Sequence, residues 1–397
     1  MKTPFLSLVA IALLSTSLHQ QEAKAMSVTV ASHERTTIYH SPQSPGYTCW
    51  VGLWTMPDGS VMVSFTQATG PIDGWRPRAP GDVLKRMPSA QQDNPAYDFT
   101  GLSQENVYLR STDGGKTWAK VHTEPFASAL NGFCSGGVLA LANGTIVRLA
   151  WGQSLTYSDL RPTGFLQRST DGCATWGPPE YFNADPHVQA FPTRLHQLRD
   201  GRLLITGGVA PFDPDNWQWN DLCLKTRHCL WVSKDPAGHA WSPPLFVTPD
   251  NAGFVCEEWD SAELDGGGLL AVFRGIVYKP DGKLVGQDRR QSVLAPDGPT
   301  WRPGPVSVLP LPHDGHPELV RTADGVILYV SPSGIFWTDQ TLAPWTHLDT
   351  PGTGYYPRAV QLPDGTILAA SHIGNDDAYG HTDQAIVMDR YRLTIHR

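Results

Sequence analysis

The chain has 397 residues, including 38 Gly, 34 Pro and 14 Trp, and 17% of its residues are charged. Frequent glycine and proline between short apolar runs are typical of many short strands joined by turns, and argue against a mainly helical protein. The formal net charge of −8 argues against a nucleic-acid-binding surface, although a local basic pocket can still bind an acidic substrate.

Residues 1–25 differ in character from the rest of the chain. Lys2 precedes an apolar run over residues 5–14, and polar residues then lead to Ala23-Lys24-Ala25. This order predicts a secretory signal peptide with an A-x-A cleavage site, and the apolar run is too short to span a bilayer. We therefore expect a secreted or periplasmic protein without membrane insertion, in which residues 26–397 form one domain.

One strand–turn–strand pattern recurs along that domain. Each copy has an apolar run, a turn that contains glycine, and a second apolar run, and glycine suits the turn because it tolerates a positive φ. A row of such units leaves sheet edges exposed, and radial closure removes them. The pattern predicts an all-β fold, a six-bladed β-propeller. The six copies cover residues 49–65, 134–151, 191–208, 257–274, 315–331 and 355–371.

Three segments lie outside the repeats. Residues 28–39 and 388–395 each read as a strand without a local partner, so we expect the two chain ends to complete the last blade together. Residues 67–104 form an insertion rich in Pro, Gly and Asp. A loop of that length inside a compact domain is more often functional than idle, which predicts a rim or lid.

Six cysteines fit an oxidising compartment. Cys223 and Cys229 flank a short polar loop and are the first candidates for a disulfide. Cys49 and Cys134 hold the same position in the first two repeats, so they either pair across neighbouring blades or stay buried thiols. No cysteine or histidine spacing indicates zinc, and we expect neither a metal nor another cofactor.

A second motif, S-T-D-G-x-x-T-W, occurs at residues 111–118 and 169–176, and weaker versions end at Trp241 and Trp301. Its Asp can accept backbone N–H bonds, its Gly adopts the turn conformation, and its Trp covers the hairpin. The motif resembles the Asp-box (BNR) repeats of the sialidase (neuraminidase) superfamily, and the resemblance covers essentially the whole mature chain. It implies a six-bladed propeller that acts as a glycoside hydrolase.

Alignment of the repeats on their turns predicts which residues line the central channel. Polar residues concentrate in repeats three to six, while small and aromatic residues fill repeats one and two, as expected for a pocket with an ionic wall and a stacking wall that suits a sugar. The first ring comprises Trp50, Ser135, Pro192, Glu258, His316 and Tyr356; the ring two residues deeper comprises Gly52, Gly137, Arg194, Asp260, Glu318 and Arg358; and the ring at the exit of the second strand comprises Thr66, Trp151, Gly208, Arg274, Pro332 and His372.

The resemblance to sialidases assigns roles to three of these positions. It implies that Tyr356 is the nucleophile, that Glu258 activates it, and that Arg274 belongs to the family's carboxylate-binding triad. A phenol has a pKa far above neutral and needs a base within hydrogen-bond reach. Tyrosine also suits an anomeric carbon that bears a carboxylate, because an anionic nucleophile would be repelled there.

Two arginines of that triad are absent from their usual places, at residues 47–50 and 331–334. Since paired arginines are the strong way to hold a carboxylate, this departure bears on the substrate. Arg194, Arg358, Arg76 or Arg78 can substitute. The family's acid is expected in the insertion, where Asp73, Asp93 and Asp98 are the candidates.

Several positions have a structural alternative. Arg194, Asp260, Glu318 and Arg358 either contact substrate or form an ion-paired plug in the channel. Glu257 competes with Glu258, and Tyr355 with Tyr356, because neighbouring strand residues face opposite sides. The remaining substrate-binding candidates are His316 and His372, predicted as hydrogen-bonded pocket residues, and Trp50 and Trp151, which stack on a sugar or only pack.

The first functional hypothesis is therefore a secreted exo-acting glycoside hydrolase, exo-α-sialidase-like, which we expect to be a monomer. The alternatives are a different exo-glycosidase or a uronate polysaccharide lyase on the same propeller. A non-catalytic propeller that binds glycans is the hypothesis from another class, because a fold does not fix a function.

Overall fold

The computed structural model consists almost entirely of antiparallel sheet, with one short helix, α1 (Trp219–Lys225), among the described residues. None of the described helices is long and apolar enough to cross a membrane. The structure describes residues 26–42, 47–69, 103–125, 133–150, 163–213, 219–250, 252–279, 283–342, 344–373 and 385–396.

Six sheets, one for each repeat, form the blades. Blade one contains β2 (Tyr47–Thr55), β3 (Val61–Thr69), β4 (Ser103–Ser111) and β5 (Ala119–Pro125); blade two contains β6 (Phe133–Ala140), β7 (Ile146–Ala150) and β8 (Phe165–Ser169); blade three contains β9 (Val188–Gln197), β10 (Leu203–Pro211), β11 (Arg227–Val232) and β12 (Leu245–Phe246). Blade four contains β13 (Trp259–Glu263), β14 (Leu269–Tyr278), β15 (Leu284–Asp297), β16 (Thr300–Pro303) and β17 (Ser307–Leu309); blade five contains β18 (Glu318–Arg321), β19 (Ile327–Ser331), β20 (Gly334–Thr338) and β21 (Thr346–His347); blade six contains β22 (Tyr355–Gln361), β23 (Ile367–His372), β24 (Ala385–His396) and β1 (Ser27–His40).

The first strand of each repeat is the innermost strand of its blade. These strands contact one another in the order β2, β6, β9, β13, β18, β22 and back to β2. The ring is therefore closed, and the predicted six-bladed propeller is the observed fold.

The second strand of each blade has apolar side chains on both faces, because each blade lies between two others. In β23, Ile367 and Ala369 pack against blade five, whereas Leu368 and Ala370 pack against blade one. All four are buried. This double burial explains why the repeats contain continuous apolar runs instead of strict alternation.

The repeat turns have the conformation that the sequence predicts. Gly59 and Gly365 adopt φ of 81° and 83°, and the preceding carboxylates of Asp58 and Asp364 each accept a backbone N–H two residues on, at 2.9 and 3.0 Å. The backbone amides that a tight turn leaves unpaired are thereby satisfied.

The S-T-D-G-x-x-T-W segments are also turns. Asp171 accepts the backbone N–H of Thr175 at 2.9 Å and its hydroxyl at 2.5 Å, and Asp113 makes the same two bonds to Thr117. The bond from the Thr175 hydroxyl is the larger cause, and together the two bonds lower the pKa of Asp171 to about 2. The motif therefore stabilises an exposed turn.

The two ends of the chain pair with each other in blade six, as the sequence predicts. Strand β1 runs antiparallel to β24 from Ser27 opposite His396 to His40 opposite Ala385. Asp389 of β24 is fully buried and accepts hydrogen bonds from Arg35 Nε at 2.8 Å and from His33 Nε2 at 2.7 Å. These bonds attach the outermost strand through side chains as well as backbone.

The predicted disulfide between Cys223 and Cys229 is wrong, because both are free thiols. Cys229 of β11 is buried in the apolar core between blades two and three, whereas Cys223 lies in α1 and close to Glu257. The two cysteines are close in sequence, but sequence distance does not show in which direction their side chains point. The side chains of Cys49 and Cys134 lie outside the described residues, so their pairing stays a prediction.

We predict that Asp389→Asn lowers the free energy of unfolding by about 2 kcal/mol, because Arg35 and His33 lose a buried carboxylate partner while Arg35 stays partly hydrated. Urea unfolding measures this change. The control is Asp297→Asn at an exposed hairpin position, which should change stability by less than about 0.5 kcal/mol. Equal effects of the two variants would contradict the role given to Asp389.

Candidate active site

Three side chains from different parts of the chain meet at one rim of the channel. The Tyr356 hydroxyl donates to Glu258 Oε1 at 2.8 Å, and Arg274 Nη1 donates to Glu258 Oε2 at 2.5 Å and to the Tyr356 oxygen at 3.2 Å. A phenol, a carboxylate and a guanidinium thus form a closed triangle. The sequence alignment had placed all three near the channel.

Neighbouring backbone fixes the positions of these groups. Glu258 directly precedes β13, and its carbonyl accepts the backbone N–H of Arg274 in the middle of β14, at 3.0 Å. Tyr356 has a left-handed φ of 49° within a bulge of β22. Trp50 has φ of 55° at the matching bulge of β2. Such strain in a residue with a side chain commonly marks a functional site.

Aromatic rings support the phenol of Tyr356. His372, which is fully buried, stacks on it with centroids 6.2 Å apart and planes at 25°. Tyr355 meets it edge-on at 4.6 Å. His372 is therefore placed behind the phenol, as part of its packing.

Arg274 is held by both catalytic candidates. Burial by itself lowers the pKa of Arg274, but the neighbouring Glu258 and Tyr356 raise that pKa well above its ordinary value. Its Nε also donates to Gln287 Oε1 on β15, at 3.2 Å. A permanently charged guanidinium beside the phenol oxygen favours the phenolate that a nucleophilic tyrosine must form.

Glu257 faces away from this triangle. Its Cβ lies against Gly208 of β10, and the side chain is buried. Burial and, to a smaller extent, the charge of Glu258 raise the pKa of Glu257 to about 7. Of the two neighbouring glutamates, it is Glu258 that contacts Tyr356, as the repeat alignment predicts.

The deeper ring is an ion-pair network. Glu318 lies 3.4 Å from Arg194 and accepts hydrogen bonds from Arg358 Nη1 and from the backbone of Ala359. Asp260 accepts the backbone N–H of Leu319 at 2.8 Å. The four charged members of this ring, Arg194, Asp260, Glu318 and Arg358, are buried.

This arrangement favours the ion-paired plug over substrate contact for Arg194, Asp260, Glu318 and Arg358, the two alternatives that the sequence leaves open. Their charges compensate one another within the network, as expected for an ion-paired plug in the channel. A cavity of about 320 Å³ that reaches Glu318 also borders residues next to the hairpin turns, and so lies on the side away from Tyr356. The network therefore separates the two mouths of the channel.

His316, of the first ring, is buried and neutral. Its Nδ1 donates to the Pro317 carbonyl at 2.8 Å. Burial, followed by the charge of Arg194, lowers the pKa of His316 well below its usual value. His316 thus cannot supply a positive charge to a substrate at neutral pH.

Other predicted positions are only partly described. Trp50 is half-buried at the start of blade one. Trp151, Arg76, Arg78, Asp73, Asp93 and Asp98 lie outside the described residues, so their roles stay predictions. Among the residues that the structure does describe, no group of three or more His, Cys, Asp or Glu side chains could hold a metal ion.

The repeat alignment missed a second group beside the triangle. A cavity of about 370 Å³ borders Arg274 and Tyr355 together with residues outside the aligned rings. The sequence signal was weak: a polar His-Asp-Gly segment immediately before the fifth repeat, and a glutamine on a third strand. The additional lining residues are Gln287, His313, Asp314, Gly315 and Ser333.

Comparisons with known proteins agree with this geometry at the level of the fold. No protein-family profile and no curated protein sequence matches the chain. A structure of a protein of unknown function from Dyadobacter fermentans is similar, with a TM-score of 0.60 and 20% identity over 93% of this chain and 99% of that one.

Two glycosidase structures are also similar. The GH93 α-L-arabinofuranosidase of Fusarium graminearum has a TM-score of 0.57 and 15% identity over 89% of this chain and 96% of that one. A sialidase from Streptococcus pneumoniae has a TM-score of 0.56 and 12% identity over 90% and 70%. The chain therefore has the sialidase-like six-bladed propeller fold, as the sequence resemblance implies.

We predict that Glu257→Gln stabilises the protein at pH 8 and not at pH 4. A carboxyl with a folded-state pKa of about 7, against an ordinary 4.5, adds stability at low pH that is lost as the pH rises between those values. The difference at pH 8 is on the order of 3 kcal/mol. Urea midpoints at both pH values measure it.

The control for that experiment is Glu34→Gln on the exposed face of β1, which should shift the two midpoints equally. A gain for Glu257→Gln that is independent of pH would show that ionisation of Glu257 does not oppose folding.

Proposed function

We propose that the protein is an exo-acting glycoside hydrolase in which Tyr356 and Glu258 form the reacting pair. The observation that carries this proposal is the 2.8 Å hydrogen bond from the Tyr356 hydroxyl to Glu258, with Arg274 beside both. A buried base in contact with a phenol is what a tyrosine nucleophile requires. The similarity in fold to glycosidases supports the reaction class as an analogy.

The proposed reaction has two steps. Glu258 takes the Tyr356 proton as the phenol oxygen attacks the anomeric carbon, the glycosidic bond breaks, and an acid protonates the leaving oxygen. A water molecule then attacks the same carbon and gives a proton to that acid, now a carboxylate. The bond to Tyr356 breaks, and Glu258 returns the proton to the phenolate. Two displacements give net retention. Asp73, Asp93 and Asp98 are proposed for the acid.

Exo-α-sialidase activity is the first candidate, since Tyr356, Glu258 and Arg274 match that family's pattern. One observation favours a second candidate, an exo-glycosidase for an uncharged sugar. Arg194 and Arg358, which would have to replace the absent clamp arginines, are committed to the buried network. In that case Glu258 itself can attack the anomeric carbon, because no substrate carboxylate repels it.

The test is a comparison of three variants on aryl glycosides of sialic acid and of neutral sugars. Tyr356→Phe should lower kcat by roughly 10³-fold or more, because the attacking oxygen is removed, and Glu258→Gln by roughly 10²- to 10⁴-fold. Tyr391→Phe, the same change elsewhere in blade six, should leave kcat within about twofold.

The alternatives give different patterns. Loss of activity in Glu258→Gln with retention in Tyr356→Phe would make Glu258 the nucleophile. A new ultraviolet absorbance from a uronate polysaccharide would indicate a lyase. Glycan binding without product would contradict catalysis and favour a binding propeller.

We also propose that the protein is exported and acts on an external glycan, as the sequence of residues 1–25 indicates. Mass spectrometry of the protein from a secreting host should give an N-terminus at Met26, after Ala23-Lys24-Ala25. Recovery of the intact N-terminus from the cytoplasm would contradict export.

A further inference from the structure

The cavity of about 370 Å³ beside the catalytic triangle is the place where a sugar can meet Arg274 and Tyr355. Its walls come from blades four, five and six, and one of them carries the segment that precedes the fifth repeat. The charges on these walls affect which sugars can bind, and this inference rests on the glycosidase function proposed above.

Arg274 is poorly placed to clamp a substrate carboxylate. Its Nη1 contacts Glu258 and Tyr356, and its Nε donates to Gln287. A bidentate clamp needs two parallel N–H groups on one edge of the guanidinium. Contacts within the described part of the chain occupy Nε and Nη1, so Nη2 remains for a ligand and allows only a single-nitrogen contact.

The wall next to Arg274 carries a carboxylate where a sialidase-like site would need another cation. Pro332 and Ser333 follow β19, and the Ser333 hydroxyl donates to Asp314 Oδ2. Asp314 is half-buried and lines the cavity, and no described cation forms an ion pair with it. Glu258 offsets the charge of Arg274, and Arg289 is buried behind the backbone of residues 312–315, so Asp314 is the carboxylate that this wall presents to the cavity. Such a wall repels an acidic sugar.

Asp314 is held in place by a buried arginine. The guanidinium of Arg289 donates to the carbonyls of Pro312 at 3.2 Å, Asp314 at 3.3 Å and Gly315 at 2.9 Å. Gly315 has φ of 57°, and a Cβ at this position would lie 3.4 Å from the Tyr355 ring. The carboxylate therefore belongs to a preorganised wall of the pocket, where it can impose geometry on a bound sugar.

We propose that Asp314 is a specificity-determining residue that accepts a hydrogen bond from a hydroxyl of the sugar, and that the pocket takes an uncharged sugar in preference to one that bears a carboxylate. Sugar hydroxyls donate to Asp314 and accept from Arg274 Nη2, so a neutral ring satisfies both groups. A site built to bind a substrate hydroxyl discriminates strongly against an analogue that cannot supply it.

The test uses the full chain and aryl glycosides of neutral pentoses and hexoses, of sialic acid and of a uronic acid. We expect kcat/KM for at least one neutral sugar to exceed that for each acidic sugar by 100-fold or more. Asp314→Asn should lower the neutral-sugar value by about 10-fold or more and should raise the acidic-to-neutral ratio, because it removes the repelling charge.

Two further variants separate specificity from structure. Ser333→Arg adds a cation at an exposed position of the same wall and should also raise the acidic-to-neutral ratio. Asp349→Asn, at an exposed aspartate that does not line the cavity, should leave that ratio unchanged. If Asp314 had a purely structural role, Asp314→Asn would lower kcat/KM equally for all substrates, and this result would overturn the proposal.

The experiment distinguishes failure of the proposed sugar selectivity from failure of the proposed glycosidase function. Hydrolysis of a sialoside or uronide as fast as any neutral glycoside, and its loss in Tyr356→Phe, would overturn the selectivity and leave the glycosidase function standing. The selectivity would also be overturned if the protein neither bound nor hydrolysed any neutral sugar in the panel. Neutral-sugar turnover that survives both Tyr356→Phe and Glu258→Gln would contradict the reacting pair.

Discussion

The convergence of six inner strands on one axis is the constraint on which the rest of the structure depends. Because each blade is buried between two neighbours, the strands cannot separate, and the side chains at their starts share a small volume. Tyr356 and Glu258 are 98 positions apart in the chain and are nevertheless in hydrogen-bond contact. The geometry of the candidate site is thus a consequence of apolar packing between blades, away from the site itself.

The same convergence places charged groups along the axis, and the structure separates them by depth. At the rim, Arg274 faces a carboxylate and a phenol next to an open cavity. One layer deeper, Arg358 and Glu318 satisfy each other. Residues of the same chemical type therefore have different surroundings, because Arg274 borders an open cavity whereas Arg358 is paired within the buried network.

Repeats and turns were readable from the sequence because they depend on local rules, namely glycine in tight turns and apolar residues on buried strands. The alignment of repeats also brought Tyr356 and Glu258 together correctly. It could not decide the partner of Arg358, because a ring position does not tell whether a carboxylate or a substrate faces it. Asp314 and Arg289 lie outside the aligned positions, and Cys223 and Cys229 were judged by spacing without side-chain direction.

Blade six has a consequence for how the molecule is made. Its outermost strand, β1, is the first of the described strands in chain order, and β24, on which it pairs, is the last. During translation the ring lacks one wall, and the apolar faces of blades one and five have no final neighbour. Complete closure therefore waits for the synthesis of β24, and an unfinished chain exposes apolar surfaces that chaperones can recognise.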